Sequence, residues 1–359
     1  MGLRTIVCGA GRALLPLVMA AGLVADVAAQ PPGGEAWIDV HVHLVGGRGP
    51  AQDYPGAVAA ALAAMEPAGI KKMVLMPPPQ VNGPAAPYDL DAFAWLAKRY
   101  AGRLAFLGGG GRLNPMLQEA ALPVSPAVRG RFEKEARAIL RQGAAGFGEI
   151  SAHHLSLVPG HPYESVPADH PLLMLLADLA AEHDVVIDLH FDVVAEDMAL
   201  PGWLTSPANP PRLASNLAAF ERLLEHNPKA RFVWAHAGSD FLGGWTVDLS
   251  RRLLDRHPNL YMSLRLAPAR VPANYPVTPA QGIKPGWLQL LRDFRDRFVI
   301  GNDQFIAAPS LHGQGPGLAF ARFAGANRAR TRIFLGALPP DLRRQIGYDN
   351  AVRLYKLQD

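Results

Sequence analysis

Two imidazoles stand one residue apart in the stretch Trp37-Ile-Asp-Val-His-Val-His-Leu44, namely His41 and His43. Neutral imidazole is a common donor to divalent metal ions. On an extended chain, side chains spaced i, i+2 point the same way, so both rings reach one ion. Four further side chains suit the same work: Glu149 in Gly146-Phe-Gly-Glu-Ile150, His190 in Val185–Asp192, His236 in Trp234-Ala-His-Ala-Gly238, and Asp303 in Ile300-Gly-Asn-Asp303. Imidazoles and carboxylates together suit a divalent metal, zinc first, with manganese or iron as the other choices. Each of these groups is costly to bury alone. Grouped around a cation, they are explained together. The competing view makes His190 and His236 core histidines that donate to backbone carbonyls, and it leaves their grouping unexplained.

Other side chains fit substrate binding. A guanidinium grips a carboxylate with two parallel hydrogen bonds, which nominates Arg265 and Arg112. His153 and His154, in the loop beyond the Glu149 segment, are candidates to touch substrate. His183, His226 and His257 end predicted helices, where an imidazole interacts with exposed carbonyls, and they read as structural. His161, His170 and His312 carry no clear role.

The elements that must position these residues alternate regularly. Short apolar runs predict strands at Trp37–Leu44, Lys72–Pro77, Leu104–Gly109, Gly146–Ser151, Val185–Asp192, Arg231–Ala237, Leu260–Leu266 and Phe298–Gln304. Helices are predicted between them at Tyr54–Ala68, Leu90–Tyr100, Ala127–Arg141, Pro171–His183, Leu213–His226, Val247–Arg256 and Pro285–Arg297. Strand–helix alternation implies a parallel sheet, and eight units imply an α/β fold of the (β/α)8 TIM barrel type. An open doubly wound sheet is the alternative, but no Gly-x-Gly-x-x-Gly follows a strand. Long Pro/Gly-rich loops follow several strands, on the face where barrels carry their sites.

Alternation along each strand predicts which residues face inward. On the first, Trp37, Asp39, His41 and His43 share the inward face. Phe147 joins Glu149, and Phe232 and Trp234 join His236. Asp188 lies beneath His190, and Tyr261 and Ser263 beneath Arg265. Asp39 then sits one layer below His41, as a supporting partner rather than a ligand.

Asp-Val-His-Val-His on the first strand, His190 on the fifth, His236 on the sixth and Asp303 on the eighth resemble the amidohydrolase superfamily. Ile346-Gly-Tyr-Asp-Asn-Ala-Val-Arg-Leu354 resembles the terminal helix of its amidohydrolase-related branch, which includes decarboxylases, hydratases and lactonases. The resemblance implies a C-terminal helical extension and barrels that often pair as homodimers. It implies a metal-dependent hydrolase of an ester, lactone or amide, in which the metal acidifies a water and polarises a substrate oxygen. Asp303 would take the water's proton, and His236 would bind a second metal or stabilise the developing oxyanion. A decarboxylase or hydratase acting on a small carboxylated molecule is the near alternative, kept open by Arg265. A non-catalytic exported metal-binding protein is the remote one. Many two-metal members carry a carboxylated lysine on the fourth strand, where this chain has Glu149.

The chain of 359 residues carries 35 basic and 31 acidic side chains, net +4. The charges are scattered, without a basic block, which argues against nucleic acid and toward a small-molecule substrate. Arg4 and Arg12, the apolar run Leu14–Val24 and the small residues Val27-Ala28-Ala29 predict a cleaved secretory leader over residues 1–29. The expectation is then a periplasmic or secreted protein with a single barrel domain over 30–359. No segment after the leader is apolar enough to span a bilayer. Cys8 is the one cysteine and lies within that leader, so thiolate chemistry is excluded from the mature chain.

Overall fold

In a computed structural model, which describes residues 36–47, 52–81, 88–267, 270–313 and 316–358, eight parallel strand positions form a ring. The predicted leader lies outside the described residues. The first strand is Trp37–Val45, the second Ile70–Leu75 and the fourth Gly146–His154. The fifth is Val186–Phe191, the sixth Arg231–Ala237 and the seventh Leu260–Leu264. The third and eighth each come in two pieces, Leu104–Phe106 with Gly108–Gly109, and Phe298–Ile300 with Gln304–Ala307. These two broken strands join the sheets. Leu107 donates to Leu75 across one side of the third strand, and Gly108 pairs with Phe147 on the other. In the eighth strand Phe298–Ile300 pairs with the seventh, and Gln304–Ala307 pairs with the first. The expected (β/α)8 barrel is the fold.

Helices Tyr54–Ala68, Pro171–His183 and Val247–Arg256 have the predicted limits. Their starts are set locally. Asp53 accepts from the Gly56 amide ahead of the first, His170 caps the second, and Thr246 accepts from the Leu249 amide to open the third. The fifth connection, between the fifth and sixth strands, differs from expectation. Its helix begins at Leu217, because Arg212–Leu213 pairs instead with Met198–Ala199 in a small antiparallel ribbon. Leu213 there packs with Leu155, Val194, Leu204 and Leu242 in a satellite apolar cluster. A short helix at Leu113–Glu119, absent from the sequence reading, follows the third strand.

The apolar residues form two bodies. The larger lies between strands and helices and includes Val42, Leu44, Phe147, Phe232, Trp234 and Leu264. The smaller fills the lower barrel interior, where Ile38, Val40, Val186, Val233 and Val299 meet Tyr348, Leu354 and Tyr355 from the C-terminal helices. That division corrects the alternation argument. Trp37, Phe147, Phe232 and Trp234 belong to the outer body, although alternation placed them inward. Asp39 also turns away from the site: its carboxylate accepts from the Asn302 backbone and side-chain amides and from Gln304. Asn302 and Gln304 are held in turn by Thr331 and Arg328 of the helix Ala324–Ala337.

The reason is a change of phase within the strands. Asp39 and Val42 oppose Met73 and Leu75, so the first strand holds one residue more than its neighbour in that span. The fourth strand does the same between Phe147 and Ile150, and the sixth between Trp234 and Ala237. Each is a β-bulge, and one extra residue exchanges the two faces beyond it. His41, Glu149 and His236 lie within or against these bulges. They point inward because the alternation is broken just before them.

Candidate metal centre

Beyond the bulges the upper ends of five strands bring His41, His43, Glu149, His190, His236 and Asp303 together. Glu149 stands at the centre and uses its two oxygens separately. Oε2 lies 3.4 Å from His41 Nε2 and 3.2 Å from His43 Nε2. Oε1 lies 2.8 Å from His190 Nδ1 and 3.2 Å from His236 Nε2. Two three-donor groups result, His41–His43–Glu149 and Glu149–His190–His236, all buried. Asp303 Oδ1 is 3.2 Å from His43 Nε2, and its other oxygen is 3.1 Å from Arg265 Nη2.

The remaining ring nitrogens decide what this arrangement suits. His43 Nδ1 lies 2.9 Å from the Met76 carbonyl, and His41 Nδ1 lies 3.1 Å from Asp188. Both acceptors call for a proton on Nδ1, which leaves a lone pair on each Nε2. Those two Nε2 atoms face one another at 3.1 Å. His190 Nδ1 and His236 Nε2 approach to 3.0 Å in the second group. Facing nitrogens need positive charge between them, as a proton or a cation. The donor set therefore fits a divalent metal.

Electrostatics carry the same message. Burial disfavours an imidazolium at His41, but the Asp188 and Glu149 carboxylates outweigh it and hold the pKa well above the usual value. At His190 burial is again overcome, by Asp192 and Glu149, and the pKa rises to about 10. At His236 burial outweighs the Asp303 and Glu149 carboxylates, and the pKa falls to about 4. Burial would raise Glu149, yet His41, His190 and His236 hold it well below the carboxylate range. Asp303 is likewise held low against burial, chiefly by Arg265.

Packing fixes the frame. Gly301 leaves room for His41: a Cβ there would lie 3.0 Å from the Cβ of His41 and 2.9 Å from that of Ser263. The centre opens into a cavity of about 670 Å³, lined by Glu149, His190, His236, Arg265 and Asp303 at its base. His154 lines it too, its ring 3.7 Å from that of His190.

Two expected substrate contacts lie elsewhere. The Arg112 guanidinium binds Asp91 and approaches Glu135 at 3.7 Å, and Arg112 is not among the cavity-lining residues. His153 turns the other way, with Nδ1 on the Asp192 carbonyl and Nε2 3.2 Å from the Tyr163 hydroxyl. Sequence reading missed His161 and Asp192, which also line the cavity. Asp192 shares a strand face with His190, a signal that was available. His161 sits in a loop with no periodicity to place it.

The Amidohydrolase family model matches residues 38–357. The chain belongs to the amidohydrolase family. This amidohydrolase is thus an enzyme with a divalent-metal site at the mouth of its barrel. No curated protein matches it. Among solved structures it is similar to a 4-oxalomesaconate hydratase from Rhodopseudomonas palustris, with 14% identity, TM-score 0.45, and coverage of 89% of this chain and 95% of that one. A probable 2-pyrone-4,6-dicarboxylic acid hydrolase from Acinetobacter baumannii has 14% identity and TM-score 0.48, covering 89% of this chain and 99% of that one. An amidohydrolase from Bifidobacterium longum subsp. infantis has 13% identity and TM-score 0.45, covering 90% and 100%.

Proposed function

We propose that this amidohydrolase uses water to cleave an ester, lactone or amide bond of a small molecule, at a centre built for two zinc ions. The observation that carries this reading is Glu149, whose two oxygens serve two separate histidine groups. His41, His43, Glu149 and Asp303 would hold one ion, and Glu149, His190 and His236 the other. Ions there would lower the pKa of water and polarise a substrate oxygen.

The protein's own groups do the rest. Asp303, at the edge of the centre with its side chain 14% exposed, faces the cavity and takes the proton of the attacking water. Asp188 and the Met76 carbonyl hold the His41 and His43 rings in one tautomer. Arg265 orients Asp303 and offers its remaining N–H groups to a substrate oxygen. That guanidinium also supports the lyase reading, in which it grips a carboxylate. The sequence of residues 1–29 supports export to the periplasm or beyond.

Purified protein assayed for metal and then offered lactones, aryl esters and unsaturated carboxylates tests the reading. Acid release without carbon dioxide is expected, and Asp303→Asn should lower kcat by about 10²–10⁴-fold. Full activity after thorough chelation would sink it. Carbon dioxide release from the carboxylates would replace it with the lyase.

A further inference from the structure

We propose, resting on the hydrolase reading above, that the substrate is an ester or lactone bearing an aromatic or similarly flat apolar group and at most one carboxylate. The cavity walls carry this. Among the lining residues Tyr54 and Tyr88 stack with centroids 5.3 Å apart and planes 15° from parallel. Phe305 packs on Phe320 at 5.4 Å and on the His43 ring at 4.6 Å. Leu157, Val81, Phe241 and Leu318 fill out the lining. Phe305 thus joins an apolar wall to a ring of the metal centre. A flat group lying on it brings a neighbouring carbonyl to His43 and Asp303. Aromatic rings gain from offset stacking beyond the area they bury.

The charges argue the other half. Among the described residues lining the cavity, Arg265 is the one arginine or lysine, and it is already paired with Asp303. Glu149, Asp192 and Asp303 are the acids. A second carboxylate on the substrate would find no second guanidinium, and an unpaired buried charge is costly. The volume of about 670 Å³ accommodates a molecule larger than a short acid.

Binding and turnover test this separately, both on the metal-loaded full chain. By calorimetry, 3-phenylpropionate should bind about tenfold more tightly than glutarate, a dicarboxylate without a ring. Phe305→Leu keeps an apolar side chain but removes the ring. It should weaken 3-phenylpropionate about three- to tenfold and leave glutarate unchanged. Glutarate binding as tightly in the unaltered protein overturns the inference, and so does indifference to Phe305→Leu. In the turnover arm, phenyl acetate and dihydrocoumarin should be cleaved in preference to 2-pyrone-4,6-dicarboxylate. Preference for the dicarboxylate overturns the substrate class while leaving hydrolysis intact. An aromatic binding preference without cleavage of any ester, lactone or amide overturns the hydrolase reading and leaves the cavity's selectivity standing.

Discussion

At the floor of the barrel, Ile38, Val40, Val186, Val233 and Val299 close against Tyr348 and Tyr355, while a few residues along the same strands His41, Glu149, His190, His236 and Asp303 crowd together. The floor is held by burial, with each enclosed aliphatic side chain contributing about 1.5–3 kcal/mol. The mouth gains little that way. Its nitrogens face nitrogens, and its carboxylate is buried among imidazoles. Stability and chemistry occupy successive layers of one sheet. The bulges let them do so, because the residue facing inward in one layer need not follow from the layer beneath.

Substitutions in the two layers should therefore fail differently. Glu149→Gln strikes both donor groups at once. It should cost on the order of a thousandfold or more in kcat/KM, with metal lost and the fold kept, as metal analysis and circular dichroism would read. A variant retaining both metal and turnover would refute the shared-carboxylate assignment. Tyr355→Ala should do the reverse: it empties part of the floor and should lower unfolding stability by about 3–5 kcal/mol, while the folded fraction keeps its kcat at low temperature. Loss of kcat at full folding would show that the layers are not separable.

Asp188 tests the boundary. It lies beside the Tyr355 hydroxyl below and His41 Nδ1 above. Asp188→Asn should weaken metal binding about 10–100-fold, with a smaller change in stability. The smallest effect is a proton count. His41 and His190 have raised pKa values in the metal-free protein, so both carry protons at neutral pH and must release them to bind a cation. Metal uptake at pH 7 should release roughly one to two protons, seen as a dependence of binding enthalpy on the buffer's ionisation enthalpy. Enthalpies identical across buffers would contradict this.

The barrel was legible in the sequence because alternation of apolar runs with amphipathic segments survives small errors of boundary. Three helices have the predicted limits. The donor residues were legible by residue type and by position near strand ends. The faces of the lower strands were not, since Asp39, Phe147 and Trp234 were placed by a period of two that the bulges interrupt. A bulge of one ordinary residue leaves no compositional mark. Arg112 was misplaced for another reason, since a loop side chain turns to a partner close only in three dimensions, here Asp91. His153 proves to lie on the fourth strand beside His154, which takes the cavity face and leaves His153 to Tyr163. His190, Arg265 and Asp303 needed no such correction, because alternation puts Asp188, Ser263 and Gly301 on their faces and the structure keeps them there.

The extra residue in the first, fourth and sixth strands also bears on how the gene can change. Exchange of one floor valine for another aliphatic residue alters a volume. Loss of the Val40 codon would remove the bulge and restore strict alternation, with Asp39 still outward and His41 still inward, but would take one side chain from the floor. The extra residue lets two consecutive side chains, Val40 and His41, face the interior, one in the floor and one in the site.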